Sequence, residues 1–165
     1  MLSRGMKFAL LGTLLSTTCL AATPDQVVDR GRYLVQIGGC NDCHTAGFEE
    51  SNGQLPEQAW LEGSTVGFSG PWGVSYPGNL RLLVANMTLD SWLQRIDAGG
   101  LPPMPWRAMQ AMNTEDRTAL FNYLQSLGPA GEWAPAAQPP GMPIRTPHIS
   151  FVPLAPDVAV VEAGH

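Results

Sequence analysis

Glycine and proline set the narrowest limits on what this chain can become. Eighteen glycines and fifteen prolines make up a fifth of its 165 residues. Proline removes a backbone donor and breaks helix interiors, and glycine in a helix costs about 1 kcal/mol relative to alanine. The chain is therefore loop-rich, and long helices throughout are excluded. Apolar residues make up 44%, enough for a packed core, while charged residues make up only 14%. That low charge excludes a charge-driven disordered chain and a nucleic-acid binder with a basic face. Three cysteines are too few for a disulfide scaffold.

The N-terminus reads as a secretory signal over residues 1–22. Arg4 and Lys7 give a positive start, Phe8 to Leu15 a short apolar run, and Ala21 and Ala22 suit cleavage before Thr23. The run falls short of the roughly 20 apolar residues of a spanning helix. Cleavage would remove Cys19 and the sole lysine, leaving Cys40 and Cys43, and seven arginines against fourteen acids, a balance of −7. The expected mature protein is periplasmic, soluble and acidic, with no membrane span.

Three helices are expected in that mature chain. Residues 24–39 place Val27, Val28, Gly31, Leu34 and Val35 on one face. A second helix runs from an N-cap at Thr88 to about Ala98, where Gly99-Gly100 stops it. A third starts near Asn113, with Glu115 and Asp116 in its first turn, and ends before Gly128-Pro129. Residues 40–87 are Gly-rich and irregular, and no strand alternation stands out. One domain over 23–128 and a Pro-rich tail over 129–165 are the economical reading. The tail resembles a disordered terminus in composition, yet Ile149, Phe151, Val152 and Leu154 form an apolar knot suited to docking.

Cys40-Asn41-Asp42-Cys43-His44 carries the chemistry. C-x-x-C-H is the attachment pattern of a c-type haem. Two thiols at this spacing add to the two vinyl groups on one porphyrin edge, and the adjacent histidine then supplies the proximal nitrogen to iron. A zinc site would need His148 and His165 from the tail, a thioredoxin-like pair would need a βαβ pattern, and a plain disulfide remains the third alternative.

The chain resembles class I-type mono-haem bacterial cytochromes c, the small periplasmic carriers and the cytochrome c subunits that serve dehydrogenases. Four stretches over residues 28–128 carry the resemblance: Gly31-Arg32-Tyr33-Leu34, the C-x-x-C-H motif, Leu101-Pro102-Pro103-Met104-Pro105-Trp106, and Asn113 to Leu127. It implies an all-α cytochrome c fold, three to five helices wrapped around one covalently bound haem, with the Pro-rich C-terminal extension left over. It also implies that Met104, in its Pro-rich loop, is the distal iron ligand opposite His44. Prolines 102, 103 and 105 stiffen that loop, which suits a thioether held on iron. Met87, a bis-His pairing through His148, and an open sixth position are the alternatives, whereas Met109 and Met112 suit the core or the haem edge.

The family pattern further places Gly31 and Tyr33 at a helix crossing, with Tyr123 as the partner aromatic. It places a carbonyl of a Pro-containing loop, near Pro71 or Pro77, on the second nitrogen of His44. Trp106 and Arg107 are candidates for a haem propionate. The expected function is periplasmic electron transfer between a dehydrogenase and a respiratory acceptor, with a dehydrogenase, terminal oxidase or another cytochrome as redox partner. The rivals are a haem enzyme or sensor with an open sixth site, and a fixed electron-accepting subunit of a dehydrogenase complex.

Overall fold

The computed structural model describes residues 22–153; the expected signal segment 1–21 and the stretch from Leu154 onward lie outside the described residues. Helix α1 spans Pro24–Ile37. Thr23 caps it, its hydroxyl accepting from Gln26 N while the Gln26 side chain accepts from Thr23 N, and Pro24 occupies the first turn, where no N–H is needed. Gly38 and the left-handed Gly39 (φ 60°) end α1 and turn the chain directly into α2, Cys40–His44. A single 3-10 turn, Glu57–Ala59, precedes two short strands.

Strands β1, Gly67–Gly70, and β2, Gly73–Ser75, pair antiparallel with Phe68 opposite Ser75. Four helices follow: α3 Leu80–Ala85, α4 Leu89–Ala98, α5 Trp106–Ala111 and α6 Thr114–Leu127. Asn79, Thr88 and Asn113 cap α3, α4 and α6 through side-chain oxygens. The tail then crosses back over the body, and β3, His148–Ser150, adds to β1 in parallel, giving the sheet order β2-β1-β3.

The sheet corrects the all-α expectation, and six helices among the described residues correct the expected three to five. The reason lies in length. Strands of three or four residues are too short to show a period of two, and α2, α3 and α5, of five or six residues, too short to show one of 3.6. The tail owes its order to aromatic packing as well as pairing: Phe151 lies 5.8 Å from Phe68 and 6.1 Å from Trp72, ring centre to ring centre.

The core sits between α1, α3, α4 and α6. It gathers Leu34, Val35, Trp60, Leu61, Val84, Trp92, Ile96, Leu120, Tyr123 and Leu124, with Met109 buried and Met112 packed at its margin. Trp92 keeps its indole N–H satisfied on the Arg117 carbonyl at 2.9 Å. Among the described residues no helix is long and apolar enough to cross a membrane.

Candidate functional site

Helix α2 puts the three residues of the motif on one turn and its flanks. Its start at Gly39 needs a positive φ, which glycine adopts without strain. Its end is tied down from two sides. Thr45 Oγ1 donates to Asn41 Oδ1 at 2.7 Å and accepts from Leu61 N at 2.8 Å, while His44 O accepts from Gly63 N at 2.7 Å. The loop 61–64 is thereby stitched to the back of the motif.

His44 is buried, and its Nδ1 donates to the Gly78 carbonyl at 2.8 Å. The Pro77 loop, not the Pro71 turn, provides this contact. Pro71 instead lies in the tight β1–β2 turn, and the Pro77 carbonyl is engaged by Ser64 N at 3.1 Å. Burial pulls the His44 pKa below its usual value, with the Gly78 carbonyl opposing that shift. The ring is thus neutral, with its proton fixed on Nδ1 and the lone pair on Nε2 left for another partner.

Both motif thiols are free. Burial, reinforced by the Asp42 carboxylate, pushes the Cys40 thiol up to about 11. Cys43 is exposed, and its pKa is also raised, by partial burial, then by Asp42 and Glu49. A reactive thiolate of a redox pair needs the opposite shift, a lowered pKa. No cluster of three or more His, Cys, Asp or Glu side chains among the described residues is arranged to hold a metal ion.

Met104 sits half-buried against the core margin, in the loop between α4 and α5. A cis Pro102-Pro103 bond shapes that loop, Trp106 N donates to the Met104 carbonyl at 2.8 Å, and Ser75 Oγ donates to the Pro102 carbonyl. Met87 lies on a separate turn after α3, and Met142 is exposed on the tail. His148 is exposed on the outer strand, its Nδ1 donating to the Thr146 carbonyl at 3.1 Å.

One supporting expectation is corrected. Tyr33 does not join the helix crossing; it is half exposed beneath the Arg30 guanidinium, 5.4 Å from the ring centre. Gly31 lies against Tyr123, as expected. Trp106 donates its indole N–H to the Leu101 carbonyl at 3.2 Å and carries Arg95 over its ring at 4.7 Å. Arg107 is simply exposed.

Sequence reasoning passed over three residues that hold the site together: Ser75, Asn79 and Arg81. Only Arg81 left a signal, as the one charge inside the apolar run of α3. It is buried, donating to the carbonyls of Gly128, Leu127 and Gln58, each at 2.6 Å, and pairing with Glu62 at 3.3 Å.

The donor set fits a c-type haem. Two neutral, unpaired thiols sit three residues apart, a neutral imidazole presents Nε2 beside them, and a thioether is held on a proline-stiffened loop. Cys40 and Cys43 would hold the porphyrin edge, with His44 and Met104 as the residues of the right chemistry for the iron.

No family model and no solved structure matches the chain significantly. Two curated proteins do: the cytochrome c subunits of alcohol dehydrogenase (quinone) from Gluconacetobacter polyoxogenes and Komagataeibacter europaeus. Each is 27% identical over 153 residues, covering 84% of this chain. The chain spans 29% of the length of these relatives. By sequence it is therefore similar to cytochrome c subunits of a quinone-dependent dehydrogenase.

Proposed function

We propose that this chain is an exported, periplasmic electron-transfer protein of the mono-haem cytochrome c type, carrying one haem c. Cys40 and Cys43 would hold the haem covalently, and His44 and Met104 would hold its iron. Bound there, the haem supplies a one-electron ferric/ferrous couple. The protein's part is to hold that couple in place. The Gly78 carbonyl fixes the His44 tautomer and ring plane and raises the basicity of Nε2. Ser75 and the prolines keep the Met104 loop from drifting. An imidazole and a thioether together would give that couple a raised reduction potential and leave the iron no site for substrates, which suits transfer rather than catalysis.

The observation that carries this reading is the short α2 helix, which joins two free thiols to a buried histidine oriented by a backbone carbonyl. The two dehydrogenase relatives support the cytochrome c kind and favour a fixed place in a dehydrogenase complex over a free shuttle. The electron donor is then a quinone-dependent dehydrogenase. With no lysine after residue 22 and an acidic balance, docking relies on a basic or neutral partner face.

The test is the optical spectrum of the exported protein, matured by a cytochrome c assembly system. The expected result is haem that survives denaturation and a reduced spectrum unmoved by carbon monoxide. Absence of haem overturns the reading at Cys40, Cys43 and His44. Ready carbon monoxide binding overturns the closed sixth site and favours an enzyme or sensor.

A further inference from the structure

Residues 74–79 lie between the C-terminal extension and both expected iron ligands, and they serve the two sides in turn. Val74 exchanges two backbone hydrogen bonds with Gln138, each at 3.0 Å. Ser75 turns the other way, onto the Pro102 carbonyl of the Met104 loop. The Tyr76 hydroxyl returns to the extension and meets Thr146 Oγ1 at 2.7 Å. Gly78 turns its carbonyl to His44. Asn79, almost fully buried, goes back again, its Nδ2 donating to Ala130 O at 2.7 Å and Glu132 O at 3.2 Å.

The extension is built into this arrangement rather than laid upon it. A Cβ on Gly73 would overlap the Gln138 carbonyl oxygen and lie 2.7 Å from the Pro139 carbonyl carbon, so the two backbones touch without a side chain between them. Gly131 (φ 69°) lets the extension turn against Glu62, where a Cβ would lie 3.2 Å from Asn79 Nδ2. Asn79 has a double role, because its Oδ1 also caps α3 by accepting from Leu82 N at 2.9 Å. Losing the contacts to Ala130 and Glu132 would free the segment next to the Gly78 carbonyl.

From this alternation we infer that the extension over residues 129–153 positions the axial ligands, with Asn79 as the positioning residue on the His44 side and Gln138 acting through Val74 and Ser75 on the Met104 side. The inference rests on the haem reading above. It makes the extension part of what sets the reduction potential, and a partner that grips the extension would reach the iron through it.

Asn79→Ser tests the His44 side. Serine keeps a capping oxygen for Leu82 but loses both donors to the extension. A looser Gly78 carbonyl lowers the basicity of His44 and favours the ferrous form. The expected result is a raised reduction potential at native haem content, with unchanged hydrogen-exchange protection of the Leu82 amide. Gln138→Pro, which removes one donor to Val74, tests the Met104 side. There, added imidazole should displace the thioether from ferric protein about fivefold more tightly, the scale of one ordinary hydrogen bond, about 1 kcal/mol. If either protein fails to accumulate, Tyr76→Phe, which deletes only the hydroxyl contact to Thr146, should show both shifts in smaller measure. Native potential and native imidazole affinity in haem-loaded variants overturn the inference and leave the haem reading standing. A native chain without haem overturns the haem reading itself.

Discussion

Gly31 and Tyr123 meet where α1 crosses α6, so closely that a side-chain carbon at position 31 would stand 2.6 Å from Tyr123 Cβ and overlap the Ala119 carbonyl oxygen. The absent side chain is what lets the two longest helices touch backbone to side chain. Arg30 and Asp116 close one edge of the same crossing with two hydrogen bonds, at 2.8 and 3.1 Å. Tyr123 and Arg32 meet on Glu57, at 2.8 and 2.7 Å, and join the crossing to the 3-10 turn.

Gly31→Ala should therefore destabilise the protein, although alanine is the better helix former by about 1 kcal/mol. The methyl has no space, and overpacking of this kind costs about 1–3 kcal/mol. The check is denaturant unfolding of the haem-loaded protein. A midpoint at or above the native one would mean that the crossing opens without cost.

Tyr123 gives the crossing a pH dependence. Burial first, then the hydrogen bond and charge of Glu57, push its pKa well above the ordinary 10.0. A raised folded-state pKa contributes stability that is fully present below the unfolded phenol value and lost as pH rises beyond it. Tyr123→Phe lacks the ionising group and the bond to Glu57. It should be less stable than native near neutrality by about 1 kcal/mol. The gap should narrow above pH 10.0. Unfolding measured across alkaline pH decides this; parallel curves would show that the phenol does not sense its burial.

Much of this was legible from residues alone where the signal was local. The caps at Thr88 and Asn113, the stop at Gly99 and the close approach at Gly31 are written within one helix turn or in a glycine. The C-x-x-C-H motif is written in five residues, although the short helix α2 that carries it was not legible. What stayed hidden is non-local. Nothing near Asn79 announces Ala130 and Glu132, and nothing near Ser75 announces Pro102. The strands escaped because each is shorter than one readable alternation, and the tail's composition concealed that Phe151 finds Phe68 and Trp72. Tyr33 misled because a family pattern fixes a position, whereas the exposure of its side chain depends on which face α6 covers.

Arg81 should prove intolerant of conservative exchange. Its guanidinium reaches three carbonyls, two of them at the end of α6, where a cation also complements the helix dipole. A lysine ammonium is one point charge and cannot span that fork. Arg81→Lys should lose about 2–4 kcal/mol, the range for breaking a buried charged network. Thermal unfolding at fixed pH measures it. A loss under about 0.5 kcal/mol, ordinary for a surface site, would sink the claim that Arg81 anchors α6 to the site loop.

Three methionines separate ligation from packing. Met109 is buried in the core, Met87 lies on the turn after α3, and Met104 sits on the loop held by Ser75. Met109→Ala removes core volume and should cost about 2–5 kcal/mol of stability while leaving the sixth iron site closed. Met87→Ala should leave it closed too. Met104→Ala should open it: reduced protein then binds carbon monoxide, the ferric thioether-to-iron absorption disappears, and the potential falls because a strong ferrous-favouring ligand is gone. Carbon monoxide titration of the three variants reads this directly. Opening by Met87→Ala, or by none of them, would move the distal ligand away from the proline-stiffened loop and undo the reason given for its stiffness.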